Sequence, residues 1–332
     1  MKHWPIVGHK WAVRQLQLAV EQDQVPHALL ITGPANVGKQ TLAHLLVKTM
    51  LCQEKDVNLR PCGTCSACRR VESGNHPDFL ILEPEHEGRG VKIEQIRDME
   101  RFLALTPNES RYKLVIITAF EQANSSAANA LLKTLEEPPA YAHLILLAAD
   151  ADTLLPTIVS RTQHIPLRPL DMQSMQQGLM EQWQVSEAEA QKLARLSGGR
   201  LGWAVQAITE PDHLQKMQDA FDTLLHLLSS DLPTRFDLAD DLAKDAVTLM
   251  QTLEYWRTGW RDVLLLQTDP DAGLVYQDYQ EALQKIAQSV SLETTAHTLR
   301  ALGEAQAALE DNANTRLLVE TLCIDLPEIQ VT

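Results

Sequence analysis

Residues 28–32, Ala-Leu-Leu-Ile-Thr, form an apolar run of strand length that stops at Gly33. A glycine-bearing turn follows, Gly33-Pro34-Ala35-Asn36-Val37-Gly38-Lys39-Gln40-Thr41. From Thr41 to Cys52 apolar residues recur at helical spacing, at Leu42, Leu45, Leu46 and Met50. A buried strand that passes through a glycine turn straight into a helix belongs to a parallel sheet covered by helices. Apolar runs at 79–82, 114–118 and 144–149 predict three more strands, and 163–167 a short fifth. Ser125 to Glu137 reads as a helix stopped by Pro138-Pro139. From Asp171 to Ile208 the pattern is helical, broken at Gly198-Gly199. After Pro211 it stays helical, with turn signals near Asp231-Leu232-Pro233 and Asp269-Pro270-Asp271.

At 332 residues the chain holds about two domains, or three smaller ones, at roughly 150 residues each. No apolar run approaches the roughly 20 residues a membrane helix needs. The N-terminus, Met-Lys-His-Trp-Pro, is too polar for a secretory signal, so a cytoplasmic location is expected. Charge is unevenly spread. Residues 209–332 hold 8 of the 29 basic residues but 22 of the 44 acidic ones. Such a segment repels phosphates, which argues against its binding nucleic acid alone and for a solvated or protein-docking face.

The turn Gly33-x4-Gly38-Lys39 matches the front of a phosphate-loop pattern. Its glycines let backbone N–H groups approach phosphate oxygens, and its lysine reaches the outer phosphates. The pattern then wants a hydroxyl to hold Mg²⁺, but position 40 is Gln and Thr41 comes one residue late. A shift of one residue rotates a side chain by about 100° on a helix. Gly33, Gly38, Lys39 and Thr41 are therefore candidate nucleotide-binding residues of a degenerate loop. ATP or ADP binding stays open against a loop that binds nothing.

Cys52-x9-Cys62-x2-Cys65-x2-Cys68 is the chain's metal signal. Two overlapping Cys-x2-Cys steps make a tight knuckle, Gly63 permits the turn, and the preceding loop is long enough to return Cys52 as a fourth thiolate. Four thiolates suit a closed, structural Zn²⁺ site. An iron–sulfur cluster is the alternative ligand reading. Arg60, Arg69 and Arg70 flank the knuckle and leave a nucleic-acid-binding role open. Cys323, in an apolar helix, reads as core.

The run Asn129-Ala-Leu-Leu-Lys133-Thr-Leu-Glu-Glu-Pro-Pro139 is not explained by helical periodicity. With Gly74-Asn-His76-Pro77-Asp78 and Ser160-Arg161, it resembles the bacterial DNA polymerase III clamp-loader subunits of the AAA+ class, over the whole chain. Within that family the chain is similar to the delta-prime branch and less to the ATP-hydrolysing gamma/tau branch. An active loader ATPase ends its Walker B strand in an acidic pair that handles Mg²⁺ and water. Here those positions are Thr118 and Ala119, and Glu121 points elsewhere if the strand has ended. The polar sensor position falls near Ala149, beside Asp150. In Gly199-Arg200-Leu201-Gly202 the second sensor arginine is replaced by Gly202, with Arg200 close by. Hydrolysis is therefore not expected. Val7-Gly8-His9 resembles the adenine-side segment, with Trp4 and Trp11 expected to pack beside it.

The resemblance implies an AAA+ α/β P-loop core over 1–166 carrying the zinc-knuckle insertion at about 52–68. A small helical lid over 167–208 and an all-α collar over 209–332 follow. It implies that Arg161, next to Ser160, acts as an arginine finger in trans on ATP held by a neighbouring gamma/tau subunit. The family's Cys after that arginine is Thr162 here. In the helix of residues 125–137 the leucines read as core, and Lys133, Glu136 and Glu137 as interface or positioning residues. The implied partners are gamma/tau and delta in a five-membered ring. Through that assembly they extend to the beta sliding clamp and primed DNA, with no membrane. Rival readings are a self-sufficient gamma/tau-type ATPase and a zinc-dependent nucleic-acid-binding module.

Overall fold

The computed structural model describes residues 4–84, 90–269, 273–310 and 313–329. The expected turn at Asp269-Pro270-Asp271 lies, from Pro270 on, outside them. The chain divides into two compact units, Met1–Ala194 with Gly199–Trp203, and Arg195–Gly198 with Ala204–Thr332.

The first unit runs α1 (Lys10–Glu21), β1 (Ala28–Thr32), α2 (Lys39–Met50), α3 (Ser66–Glu72), β2 (Phe79–Leu82) and α4 (Ile93–Ala104). It continues through β3 (Lys113–Ile117), α5 (Ser125–Glu136), β4 (Ala142–Ala148), α6 (Pro156–Val159), β5 (Gln163–Pro166) and α7 (Met172–Trp183). Two further helices follow, α8 (Glu187–Ser197) and α9 (Leu201–Thr209). The five strands form one sheet in the order β2-β3-β4-β1-β5, and every pairing is parallel. Leu30 pairs with Leu146, and Val115 with Leu144. Leu29, Ile31, Leu114 and Ile116 face a core shared with α1 and α2, while Leu30, Val115 and Ile117 face one shared with α4 and α5. Burial on both faces is why these strands read as unbroken apolar runs.

Strands β3 and β4 start earlier than their apolar runs, because polar residues open them. Lys113 is buried, donates to the Phe102 carbonyl at 2.8 Å and lies 3.9 Å from the Phe102 ring centroid. His143 is buried with Nδ1 2.9 Å from the Pro26 carbonyl. Helix α5 is capped by Asn124, whose side chain accepts from the Ala127 N–H. It buries Leu131, Thr134 and Leu135, leaving Lys133, Glu136 and Glu137 exposed.

The second unit is helical: α10 (His213–Ser229), α11 (Leu232–Leu242), α12 (Ala246–Thr268), α13 (Gln280–Ser289), α14 (Leu292–Glu310) and α15 (Thr315–Asp325). Asp231, Asp245 and Asn314 cap α11, α12 and α15 by accepting from backbone N–H groups of the first turn. Phe221 stacks on Tyr276 with centroids 4.3 Å apart. Gly259 lets α12 approach Phe221, since a Cβ there would sit 2.4 Å from Cε2 of that ring. Arg235 is buried and donates to the carbonyls of Ser230, Cys323, Leu326 and Pro327 at 2.7–3.1 Å. One side chain thus collects the free carbonyls where α10 and α15 end. Cys323 is core, as expected. Among the described residues no helix is long and apolar enough to cross a membrane.

Candidate functional site

The carboxyl ends of β1, β3 and β4 open on one cleft, where open parallel sheets bind ligands. It encloses about 320 Å³ and is lined by Gly38, Lys39, Thr41, Thr118, Ala148 and Gly202, with Asn36, Gln40, Ala119, Glu121 and Leu147. Gly33 adopts φ 146°, and a Cβ there would meet the Leu167 carbonyl oxygen at 2.5 Å, so only glycine fits. Gly38 caps α2 at φ 104°. The Lys39 ammonium folds back on the loop, donating to the Gly33 carbonyl and, at 2.9 Å, to that of Pro34. Burial lowers its pKa, and the Glu121 charge partly opposes that.

Two other segments lock onto this loop. His9 places Nε2 3.1 Å from the Val37 carbonyl. Burial lowers the His9 pKa, and that contact partly offsets the fall. Gly202 donates its N–H to the Asn36 carbonyl at 2.8 Å, and a Cβ at 202 would lie 3.0 Å from the same oxygen. Gly202 rather than Arg200 therefore lines the cleft. Trp4 is buried, but Trp11 is 50% exposed. Trp11 still lies beside the 7–9 segment, as expected, bordering an open cleft of about 550 Å³ with Gly8, His9 and Leu170.

Strand β3 ends in Ile117, and Thr118 spends its N–H and hydroxyl on the Leu82 carbonyl. Ala119 then adopts a left-handed φ of 45°, and the chain turns through Phe120–Gln122. That turn corrects one expectation: Glu121 does not point away but lines the cleft with Lys39. An alanine in left-handed conformation carries no sequence signature, so only the structure reveals this residue. At the end of β4, Leu147 and Ala148 face the cleft, and Asp150 instead accepts the N–H of Asp152 at 3.1 Å.

Ser160 and Arg161 follow α6 on the surface of the same unit. Arg161 Nη2 lies 2.7 Å from Glu136 Oε1, and Nη1 donates to the Thr157 carbonyl at 3.0 Å. The Ser160 hydroxyl donates to that same carbonyl at 3.1 Å.

The Sγ atoms of Cys52, Cys62, Cys65 and Cys68 all lie within 4.8 Å of one another. A tetrahedral Zn²⁺ with Zn–S bonds of about 2.3 Å spaces its sulfurs roughly 3.8 Å apart, so the set fits such an ion. Backbone N–H groups already aim at the sulfurs, from Cys62 to Cys52 and from Cys65 to Cys62 at 3.3 Å, and from Cys68 to Cys65 at 3.4 Å. Burial raises the Cys52 and Cys68 thiols, whereas N–H donation from Cys65 lowers Cys62 to about 6. A bound divalent ion would hold all four as thiolates. The knuckle is tied to the core. Arg70 Nη1 donates to Glu109 Oε1 at 2.8 Å, its Nη2 engages Oε2, and Lys48 pairs with Glu72.

The Gly74–Asp78 segment explains itself here. Asp78 is fully buried and accepts the N–H groups of Asn108, Glu109 and Ser110 at 2.6, 2.9 and 3.0 Å. Burial raises its pKa, but these bonds outweigh burial and hold it below the usual carboxylate value. It pins the loop that receives Arg70.

A family model described as DNA polymerase III, delta subunit, matches residues 8–171. The chain is 31% identical over 320 residues to DNA polymerase III subunit delta′ of Bacillus subtilis, covering 95% of each. It belongs to the DNA polymerase III delta′ family.

The chain is also similar to other subunits of that polymerase. This chain is 26% identical over 365 residues to subunit tau of Bacillus subtilis, covering 98% of this chain and 63% of tau. A solved Thermotoga maritima protein described as related to the DNA polymerase III gamma subunit aligns at 20% identity and TM-score 0.40, covering 93% of this chain and 97% of that one. The expectation of clamp-loader kinship, read from the residue 129–139 run and Ser160-Arg161, is confirmed. So is the α/β core, seen here as a parallel sheet with its phosphate loop after β1. In this delta′-family chain the structure brings Gly33, Gly38, Lys39 and Thr41 to one end of the sheet. It gathers the four cysteines in a cluster and leaves the Arg161 side chain partly exposed, 36%, after α6.

Proposed function

We propose that this chain is the delta′ subunit of a clamp loader and hydrolyses no ATP itself. In this reading its Arg161 reaches the phosphates of ATP held by a gamma/tau neighbour, and Zn²⁺ on the four cysteines stabilises the knuckle. Residues 167–208 act as a lid, and 209–332 form a collar that joins delta and gamma/tau in a five-membered ring. The ring, in the cytoplasm, places the beta sliding clamp on primed DNA. One observation carries the non-hydrolysing part: at the end of β3, Thr118 and Ala119 stand where acidic residues would handle Mg²⁺ and water. Reconstitution with gamma/tau and delta tests it. Clamp loading must require this chain, and the chain alone must not turn over ATP.

A gamma/tau-type ATPase is the second reading. It is favoured by Glu121, which does face the cleft beside Lys39. ATP turnover by the isolated chain, lost in Glu121→Gln, would select it.

A further inference from the structure

At the opposite end of the sheet from the phosphate loop, the amino ends of β3 and β4 border a second cavity, of about 790 Å³. The cations Lys55, Arg60 and Arg111 line it. Lys55 and Arg60 stand on the loop between Cys52 and Cys62, and Arg111 on the loop before β3. Lys55 makes no hydrogen bond or ion pair among the described residues. Arg60 donates Nε to the Glu54 carbonyl at 2.6 Å, which leaves both its Nη groups without an acceptor among those residues. Arg111 forms no ion pair among them and lies beside the Tyr112 hydroxyl. The two carboxylates on the walls are already engaged. Asp23 accepts from the Tyr112 hydroxyl, and Glu109 holds both Nη groups of Arg70. With Arg70 counted, four cations face two carboxylates, a surplus of two positive charges in a chain of net charge −15.

The geometry points to this cavity as a second anion site, which binds a compact ligand of the diphosphate class through Lys55, Arg60 and Arg111. Unpaired cations around one cavity repel one another, and the protein walls of a cleft concentrate their field. A ligand with two or more negative charges turns that repulsion into charge-assisted hydrogen bonds. Guanidinium groups present the planar donor pairs that phosphate oxygens accept. The volume suits a small ligand, since such sites run to roughly 300–1,000 Å³. Asp23 and Glu109 repel the flanking phosphates of a nucleic-acid strand, so one compact anion fits where a continuous backbone does not. Because Lys55 and Arg60 sit on the cysteine-bearing loop and Arg111 on the loop before β3, the ligand bridges the knuckle to the sheet. The site is independent of the phosphate loop, which lies at the carboxyl ends of the strands.

Calorimetric titration of the full chain with sodium pyrophosphate tests this, with Lys39→Ala as the phosphate-loop control. Binding should survive Lys39→Ala and weaken at least tenfold in Arg111→Gln and in Lys55→Gln. Both of these variants must keep the wild-type circular dichroism spectrum and metal content, and if one does not the other decides. Titration of Lys39→Ala with ADP separates two sources of the group. Affinity equal to that for pyrophosphate assigns a nucleotide, and affinity for pyrophosphate alone assigns a free anion; both support the site. Pyrophosphate binding that is unchanged in Arg111→Gln and Lys55→Gln, or lost in Lys39→Ala, overturns the proposal. So does an absence of pyrophosphate binding by every protein. A single-stranded oligonucleotide that binds more tightly than pyrophosphate, and is lost in the same two variants, overturns the compact anion in favour of a nucleic-acid backbone.

Discussion

The guanidinium of Arg161 lies 2.7 Å from the carboxylate of Glu136, a residue of the same chain on helix α5. The side chain proposed to serve a neighbouring subunit is thus held at home, by the helix that carries the family's Asn129–Pro139 run. Both residues are substantially exposed, at 36% and 51%. An exposed pair of this kind contributes about 0–1 kcal/mol, so a phosphate group can take Arg161 from Glu136 at little cost.

Replacing Arg161 by alanine should leave the chain folded and able to assemble, yet lower the clamp- and DNA-stimulated ATPase of the reconstituted loader. Arginine fingers in GTPases contribute roughly 10³–10⁵ in rate. A smaller loss is expected here, because other interfaces of the ring keep their own. Lysine at 161 should not rescue, since an ammonium cannot make the planar two-pronged contact. Arg200→Ala should be nearly silent. A normal rate with Arg161→Ala would reduce Arg161 to a surface residue.

One zinc ion per chain is expected, and elemental analysis of chelator-washed protein should find it. Cys65→Ser should lose it. Because Arg70–Glu109 and Lys48–Glu72 clamp the knuckle to a unit with its own core, metal loss should unfold the knuckle locally and spare most helical circular dichroism. Full zinc content in Cys65→Ser would contradict the four-thiolate assignment.

The isolated chain should show no ATP turnover above background. If turnover appears and vanishes in Lys39→Ala, the positions assigned to Thr118 and Ala119 are misread.

The sequence makes the phosphate loop and the cysteine cluster legible for one reason: each is local, its ligating groups spaced by a single turn or helix. Strands β1, β3 and β4 were legible because both their faces are buried, whereas β5 shows only Ile165 to the core and reads weakly. Arg235 was not, since its carbonyl partners Cys323, Leu326 and Pro327 lie 88–92 residues away. Glu121 was misplaced for a related reason. A left-handed alanine at 119 redirects it, and periodicity does not encode that turn.

Arg235→Ala should be among the most destabilising single changes in the helical unit. It strips donors from several buried carbonyls at once, and each buried acceptor left unpaired costs about 1–3 kcal/mol. The urea midpoint should fall accordingly. A fall within about 0.5 kcal/mol, typical of surface substitutions, would mean that water replaces the guanidinium.

Asp262 gives this unit a pH dependence. It is fully buried and accepts the Tyr276 N–H at 2.8 Å, while Oδ1 lacks a hydrogen bond and lies 3.8 Å from Arg261. Burial raises its pKa, outweighing the Tyr276 bond and the Arg261 charge. A raised carboxyl stabilises the fold below its unfolded value, about 3.9, and that contribution is lost as pH climbs through the folded value. Asp262→Asn, which keeps an acceptor for Tyr276, should therefore gain on wild type near pH 7, and the gain should shrink toward pH 4. Chemical denaturation at both pH values decides it, and a gain independent of pH would refute the assignment.

Helix α2 begins at Lys39 in the phosphate-loop cleft and ends at Met50, two residues before Cys52. It is a strut about 18 Å long, at 1.5 Å per residue. Its length is a shared dimension of two sites that otherwise have nothing in common. Inserting one residue would turn Cys52, and the knuckle that follows it, by about 100° and shift it by about 1.5 Å relative to the phosphate loop, though every ligand remained in the sequence. The residue count of α2, and not the side chains at its ends, therefore sets how the two sites are phased.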